Sequence, residues 1–331
     1  MLILQSGVQK SGNYWLYQII QHSLEQAGLP QKSFARQHPI YQKAKEWPYF
    51  ADQAGVDYLE ITAGGHSFRK GTYVEPIPDL DAFLAQCSHV WTHSFWSAGT
   101  DTTFGKFDKI VYIIRDPRDV VTSAARFFFT PFMQQEHPTR ERNPEEFLQH
   151  RLYELLLGWV QHVASYLLHE AQYPIHFVFY ERLLDNFNES YTALLDFLEI
   201  ELTPASRTVV RQAAQFEEMK KKSPHHVRTG QARQWLETIT PAQSDAATRI
   251  AGPLLALLNY PVDAQAARLP SLPRLPEKVE MEAVRDALQA SRGTRRDQLR
   301  YALTYLRSRR PWREKLERGL EYIYKGGRWK I

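Results

Sequence analysis

The chain has 331 residues, of which 43% are hydrophobic and 24% charged, with 41 Lys+Arg against 37 Asp+Glu. That balance excludes a disordered or fibrous protein, and the length is enough for one large domain or two ordinary ones with their own cores. Cys87 is the single cysteine, so no intramolecular disulfide can form; with no signal-peptide pattern, a reducing cytoplasmic setting is expected. The apolar run 110–114 is far too short to cross a bilayer.

The charge is unevenly spread. Residues 264–331 hold 17 basic and 8 acidic side chains, while the rest of the chain holds 24 and 29. The change coincides with Leu269-Pro270-Ser271-Leu272-Pro273-Arg274-Leu275-Pro276, which reads as a proline-stiffened connector. Three segments are expected: a main domain over 1–262, a Pro-rich linker over 263–277, and a basic helical extension over 278–331 with helices near 279–306 and 312–324. No internal repeat is present.

In chain order, Leu2-Ile3-Leu4 reads as a strand, residues 6–13 as a loop, and Trp15, Leu16, Ile19, Ile20 and Leu24 as the apolar face of a helix. His89-Val90-Trp91-Thr92 is a candidate strand ending at His93. Residues 110–114 form a strand before Arg115-Asp116-Pro117-Arg118-Asp119, and Val120, Val121, Ala124 and Phe128 continue as a helix with Pro117 in its first turn. Leu152, Leu155, Leu156, Trp159, Val163, Tyr166 and Leu167 mark a long buried helix, and residues 175–180 a further strand. Strands alternating with helices predict a P-loop-like three-layer α/β/α fold with a central parallel sheet, plus a helical C-terminal extension. Ligands in such folds gather at the carboxyl ends of the strands, which puts Lys10, His93, Arg115 and Tyr180 at one edge.

A loop of glycines, small polar residues and a lysine before a helix offers backbone N–H groups and positive charge to a phosphate. Gly7 to Ser11 meets this description, although the Walker spacing is absent and an ordinary connection with a solvated lysine fits equally well. Arg115, with Ser123 in the following helix, offers a forked grip and a hydroxyl to a second phosphate. Alternatively, residues 115–119 form their own ion pairs and helix caps.

Together these segments resemble the cytosolic-type sulfotransferase family, whose donor is 3′-phosphoadenosine 5′-phosphosulfate. Gln9-Lys10-Ser11-Gly12-Asn13-Tyr14-Trp15 is similar to the family's Pro-Lys-Ser-Gly-Thr-Thr-Trp loop, and Arg115 with Ser123, eight residues on, resembles its 3′-phosphate motif. Further on, Tyr180 resembles an adenine-contacting tyrosine, Phe216 and Met219 the Phe-x-x-Met segment, and Arg228-Thr229-Gly230 the Arg-Lys-Gly motif, followed by Trp235. The resemblance covers roughly residues 1 to 262. It implies a cytoplasmic sulfotransferase that moves a sulfuryl group to a hydroxyl of a small-molecule, lipid or carbohydrate acceptor and needs no metal. It also implies that Lys10 stabilises the leaving phosphate, that Lys10, Ser11, Gly12, Asn13, Tyr14 and Trp15 hold the donor with the later residues, and that His93 is the general base.

Several positions depart from the family pattern. Asn13 and Tyr14 stand for two threonines, Thr229 for a lysine, Arg233-Gln234 for Gly-Asp, and Ala214 for a threonine at the adenine. Trp91-Thr92-His93 has tryptophan in place of the family's lysine. A structural histidine is the other reading of His93, and His66, Glu60 and Glu75 are substitute bases. The basic tail offers a surface for anionic lipid or for the acidic body, and no nucleic-acid motif is present. A P-loop phosphotransferase and a non-catalytic nucleotide- or membrane-surface-binding protein are the competing classes.

Overall fold

A computed structural model describes residues 1–47, 49, 51–222, 230–269 and 271–292. In chain order the elements are β1 (Ile3–Gly7), α1 (Asn13–Gln26), α2 (Phe34–Gln37), α3 (Ile40–Lys45), β2 (Asp57–Thr62), β3 (Gly65–Lys70), β4 (Tyr73–Ile77), α4 (Leu80–Leu84), β5 (His89–Thr92), α5 (Ala98–Phe104) and β6 (Lys109–Ile114). They continue as α6 (Pro117–Phe128), α7 (Pro131–Glu136), α8 (Pro144–Leu167), β7 (Ile175–Phe179), α9 (Tyr180–Asp185), α10 (Phe187–Leu198), α11 (Pro204–Ala213) and α12 (Phe216–Lys222). The last are α13 (Trp235–Thr238), α14 (Pro241–Leu257) and α15 (Met281–Ala290).

The chain divides into two compact units. The first comprises Met1–Asp116, Ser165–Ala232 and Leu272–Arg274, and it holds the whole sheet in the order β4-β3-β2-β5-β1-β6-β7. Neighbours from β2 through β7 run parallel, while β2-β3-β4 is an antiparallel meander at one edge. The sheet is therefore mixed where the sequence predicts a parallel one. Those strands carry an alternating pattern, with Asp57, Leu59 and Ile61 buried between more open neighbours, and the turn at Ala63-Gly64 lets β3 fold back.

The first strand also runs three residues past the apolar Leu2-Ile3-Leu4. Gln5 and Ser6 stay in the strand, fully buried, because each finds a partner: Gln5 Nε2 donates to the Asn13 carbonyl at 2.7 Å and Ser6 Oγ to the Tyr166 hydroxyl at 2.8 Å. At the other end of the sheet β7 stops at Phe179, so Tyr180 begins a helix instead of ending the strand. Ile3, Leu16, Ile19, Ile20, Val111, Val178 and Leu195 form the core beneath α1, which is why the helical spacing after Trp15 was legible.

The second unit comprises Pro117–Ala164, Arg233–Ser271 and the described residues from Leu275, and its described elements are helical. Val121, Ala125, Phe147, Leu152, Leu156, Ala247 and Ile250 form its core. Thr240 opens α14 with a capping box completed by Gln243 and with Pro241 in the first turn. Phe128 stacks on Phe147 at 4.8 Å, so this part of the aromatic stretch packs the core. Of the expected tail helices, α15 is described and the rest lies outside the described residues. No described helix is long and apolar enough to cross a membrane.

Candidate active site

Strands β5, β1, β6 and β7 are parallel neighbours, so His93, the loop after Gly7, Arg115 and Tyr180 all follow the same edge of the sheet. The register makes this concrete: Ser6 pairs with Thr92 and Tyr112, and Ile114 pairs with Phe179. Four residues separated by up to 170 positions are thereby brought to one place.

The turn after β1 is shaped by residues that tolerate a left-handed backbone or are forced into it. Lys10 adopts φ 72° and Gly12 φ 97°, and a Cβ at Gly12 would lie 2.6 Å from the Tyr180 ring. Asn13 Nδ2 donates to the Val8 carbonyl at 2.8 Å and draws the loop closed. Ser11 Oγ and Asn13 Oδ1 are buried and have no hydrogen-bond partner among the described residues. Buried polar atoms left this way are costly; of the two only the Ser11 hydroxyl can donate, and in a cationic loop at a helix N-terminus that donor suits a phosphate-bearing group.

Arg115 meets this loop directly. Its Nη1 donates to the Lys10 carbonyl at 3.1 Å, its Nη2 to the Gln231 carbonyl at 3.0 Å, and its guanidinium lies 4.3 Å from the centre of the Tyr180 ring. Trp15 stands edge-on to Tyr180 at 5.5 Å and donates its indole N–H to the Ala214 carbonyl at 2.8 Å. The position where the family pattern has a threonine side chain thus contributes its backbone. Gly230, at φ 57°, passes so close to Phe216 that a Cβ would overlap the ring at 2.2 Å, and Met219 is buried in the helix that Phe216 begins.

His93 directly follows β5, with Nδ1 2.6 Å from the Gly7 carbonyl. A carbonyl can only accept, so Nδ1 carries the proton and Nε2 holds the lone pair. Burial pushes the His93 pKa down to about 4, and the nearby Lys10 charge pushes the same way against the Gly7 bond. The imidazole is neutral at neutral pH, as a proton acceptor must be. Glu60 is paired with Arg69 at 3.2 Å, His66 with Thr103 at 2.7 Å, and Glu75 with His38 at 2.9 Å, so each substitute base is engaged elsewhere in the β2-β3-β4 meander.

The sulfotransferase domain model matches residues 2–259 of this chain. The chain belongs to that family. It is 28% identical over 192 residues to Sulfotransferase 2B1 of Rattus norvegicus, an alignment covering 57% of this chain and 47% of that protein. It is 24% identical over 261 residues to the 3-alpha-hydroxysteroid sulfotransferase of Cavia porcellus, covering 73% and 79%. Among solved structures, mouse sulfotransferase SULT7A1 complexed with PAP aligns at 20% identity over 74% of this chain and 80% of that one, with a TM-score of 0.48. The family gives the chain its class, a sulfotransferase, as the motifs implied.

Ser123 lies on α6 in the second unit and is half-buried, and Arg228 and Thr229 lie outside the described residues. Tyr14 is in the first turn of α1, but its hydroxyl bonds Asp52 and its ring packs against the cluster of Tyr17, Val56 and Trp91. Trp235, placed in the sequence as a motif neighbour, stacks under Arg118 at 3.9 Å in the second unit. Sequence reasoning missed Gly7 as the partner of His93, and Tyr58, whose ring centre is 5.8 Å from that of His93. A glycine closing a buried strand was the only signal for the former.

Proposed function

We propose that this sulfotransferase transfers a sulfuryl group from 3′-phosphoadenosine 5′-phosphosulfate to an acceptor hydroxyl, with His93 as general base and Lys10 stabilising the departing phosphate. The observation that carries this reading is the meeting of two grips on one loop: Arg115 bonds the Lys10 carbonyl at 3.1 Å while His93 bonds Gly7 at 2.6 Å. The buried Ser11 hydroxyl, which can donate, fits the phosphosulfate end of such a donor, and Arg115, Tyr180, Trp15 and Phe216 fit its nucleoside end. When bound, the donor supplies an activated sulfuryl group. His93 Nε2 accepts the acceptor's proton, and the Lys10 ammonium neutralises charge that gathers on the phosphate oxygen. The acceptor is a small-molecule, lipid or carbohydrate alcohol, and the buried free Cys87 accords with a cytoplasmic setting.

The test is transfer from labelled phosphosulfate donor to a panel of hydroxyl compounds without added divalent metal. Sulfated product that disappears in His93→Gln and Lys10→Ala is expected. Metal-dependent phosphate transfer from ATP, or nucleotide binding with no transfer to any acceptor, overturns the reading.

A further inference from the structure

Tyr166 lies behind the candidate base and joins the two strand ends that carry it. It falls in the part of α8 that belongs to the first unit and is fully buried. Its hydroxyl accepts from Ser6 Oγ at 2.8 Å and donates to the Ser94 carbonyl at 3.2 Å. Ser6 precedes Gly7 and Ser94 follows His93. One hydroxyl therefore clasps the immediate neighbours of both members of the Gly7–His93 hydrogen bond.

The clasp is itself held. Tyr112, 4.3 Å away between ring centres, and Trp96 and Phe104, each at 5.5 Å, pack around the Tyr166 ring. The Ser94 N–H donates to Thr92 Oγ1 at 3.0 Å, and Ser94 Oγ accepts from the Ile61 N–H at 2.7 Å, so the residue it grips is fixed from two more sides. Burial pushes the phenol's pKa upward, which keeps its proton available to donate. His93 sits past the last ladder bond of β5, where backbone freedom would otherwise let the imidazole drift, and a displacement of about 1 Å at a reacting group can cost about 100-fold in rate.

We propose that Tyr166 is a positioning residue for sulfuryl transfer, holding the ends of β1 and β5 in the register that keeps the His93 proton on Nδ1 and its lone pair on Nε2. This rests on the reading of His93 as the base. The tests are nitrogen-15 NMR of labelled histidine and steady-state kinetics on Tyr166→Phe in the full chain.

The wild-type His93 ring is expected as one tautomer with the proton on Nδ1. In Tyr166→Phe it is expected to become a mixture, with kcat at least about tenfold lower, the donor KM within about twofold of wild type, and the acid limb of the rate profile moved to lower pH because the Gly7 bond that raises the His93 pKa is loosened. Ser6→Ala/Tyr166→Phe removes both hydroxyls, so no buried hydroxyl is stranded, and is expected to behave alike; Ser6→Ala alone serves if neither folds. Ile250→Val, a core trim in the second unit, is expected to lower thermal stability without touching the His93 signals. Unchanged His93 signals in Tyr166→Phe, whether activity falls or not, overturn the proposal, as does the same signal change in Ile250→Val. The NMR readout is independent of catalysis, so activity retained in His93→Gln would remove the base reading and leave the tautomer result to stand by itself.

Discussion

Two of the connections that leave the sheet toward a helix, after β1 and after β6, share a plan and differ in how completely they are bonded. The first has Lys10 and Gly12 in left-handed conformations and leaves Ser11 Oγ and Asn13 Oδ1 buried without partners among the described residues. The second is bonded through Asp116, Arg118 and Asp119. In the first unit the Asp116 N–H donates to Glu181 at 2.9 Å, and in the second Arg118 donates to the Pro261 and Val262 carbonyls while Asp119 accepts from the Arg233 and Trp235 N–H groups at 2.6 and 3.0 Å. A strained, under-bonded loop is shaped for a ligand, whereas a satisfied one is scaffold, with Arg115 as its one reach into the site. Asp119 thus holds the backbone at the start of α13 instead of capping its own helix, and the proposed phosphate role falls to Arg115.

The sharpest way to break this comparison is to remove the lysine from the first loop and relieve its backbone together. Lys10→Gly keeps the carbonyl that Arg115 grips and removes a left-handed side chain whose conformation costs on the order of 1 kcal/mol. Initial rates are expected to fall about 100- to 1000-fold while the melting temperature holds or rises. Equal loss of rate and stability would make Lys10 scaffold too.

The second connection should respond the other way. Asp119 is 1% exposed, so Asp119→Ala strands the buried Trp235 N–H and the half-buried Arg233 N–H and is expected to cost about 2 kcal/mol in urea denaturation, with the donor KM of the folded fraction unchanged. A raised KM with unaltered stability would move Asp119 from scaffold to site.

These opposite roles explain what could be read in advance. Helix α1, β5, β6 and the edge shared by Lys10, His93, Arg115 and Tyr180 were legible because apolar periodicity and the alternation of strands with helices are local patterns from which a parallel sheet follows. The β2-β3-β4 meander was less so, since its buried positions include the charged Asp57 and Lys70, whose partners come from residues outside the strands. Gly7 was invisible as a partner of His93 because 86 residues separate them and the contact runs through a backbone carbonyl. Tyr14 kept its place in the motif, but its side chain follows Asp52, a residue that no local pattern ties to it.

The smallest effect tests the acid sensitivity of the first connection, because His93 is bonded to it and residues 115–119 contain no histidine. In the folded chain the His93 pKa lies at about 4, below the ordinary 6.5 it regains on unfolding. Between those values the unfolded chain binds the proton and the folded chain does not. The stability associated with the neutral ring is therefore intact above pH 6.5 and is lost as pH falls from 6.5 toward 4. At pH 5 the loss relative to pH 7 is at most about 2 kcal/mol for this one ring. His89, driven down to about 3 by burial, adds to the same trend from within the same unit. The comparison that isolates His93 is the difference in urea stability between pH 7 and pH 5, measured for wild type and for His93→Gln. The variant should show the smaller drop by up to about 2 kcal/mol. Equal drops would mean that the imbalance between the two connections does not extend to the residue hung from the first.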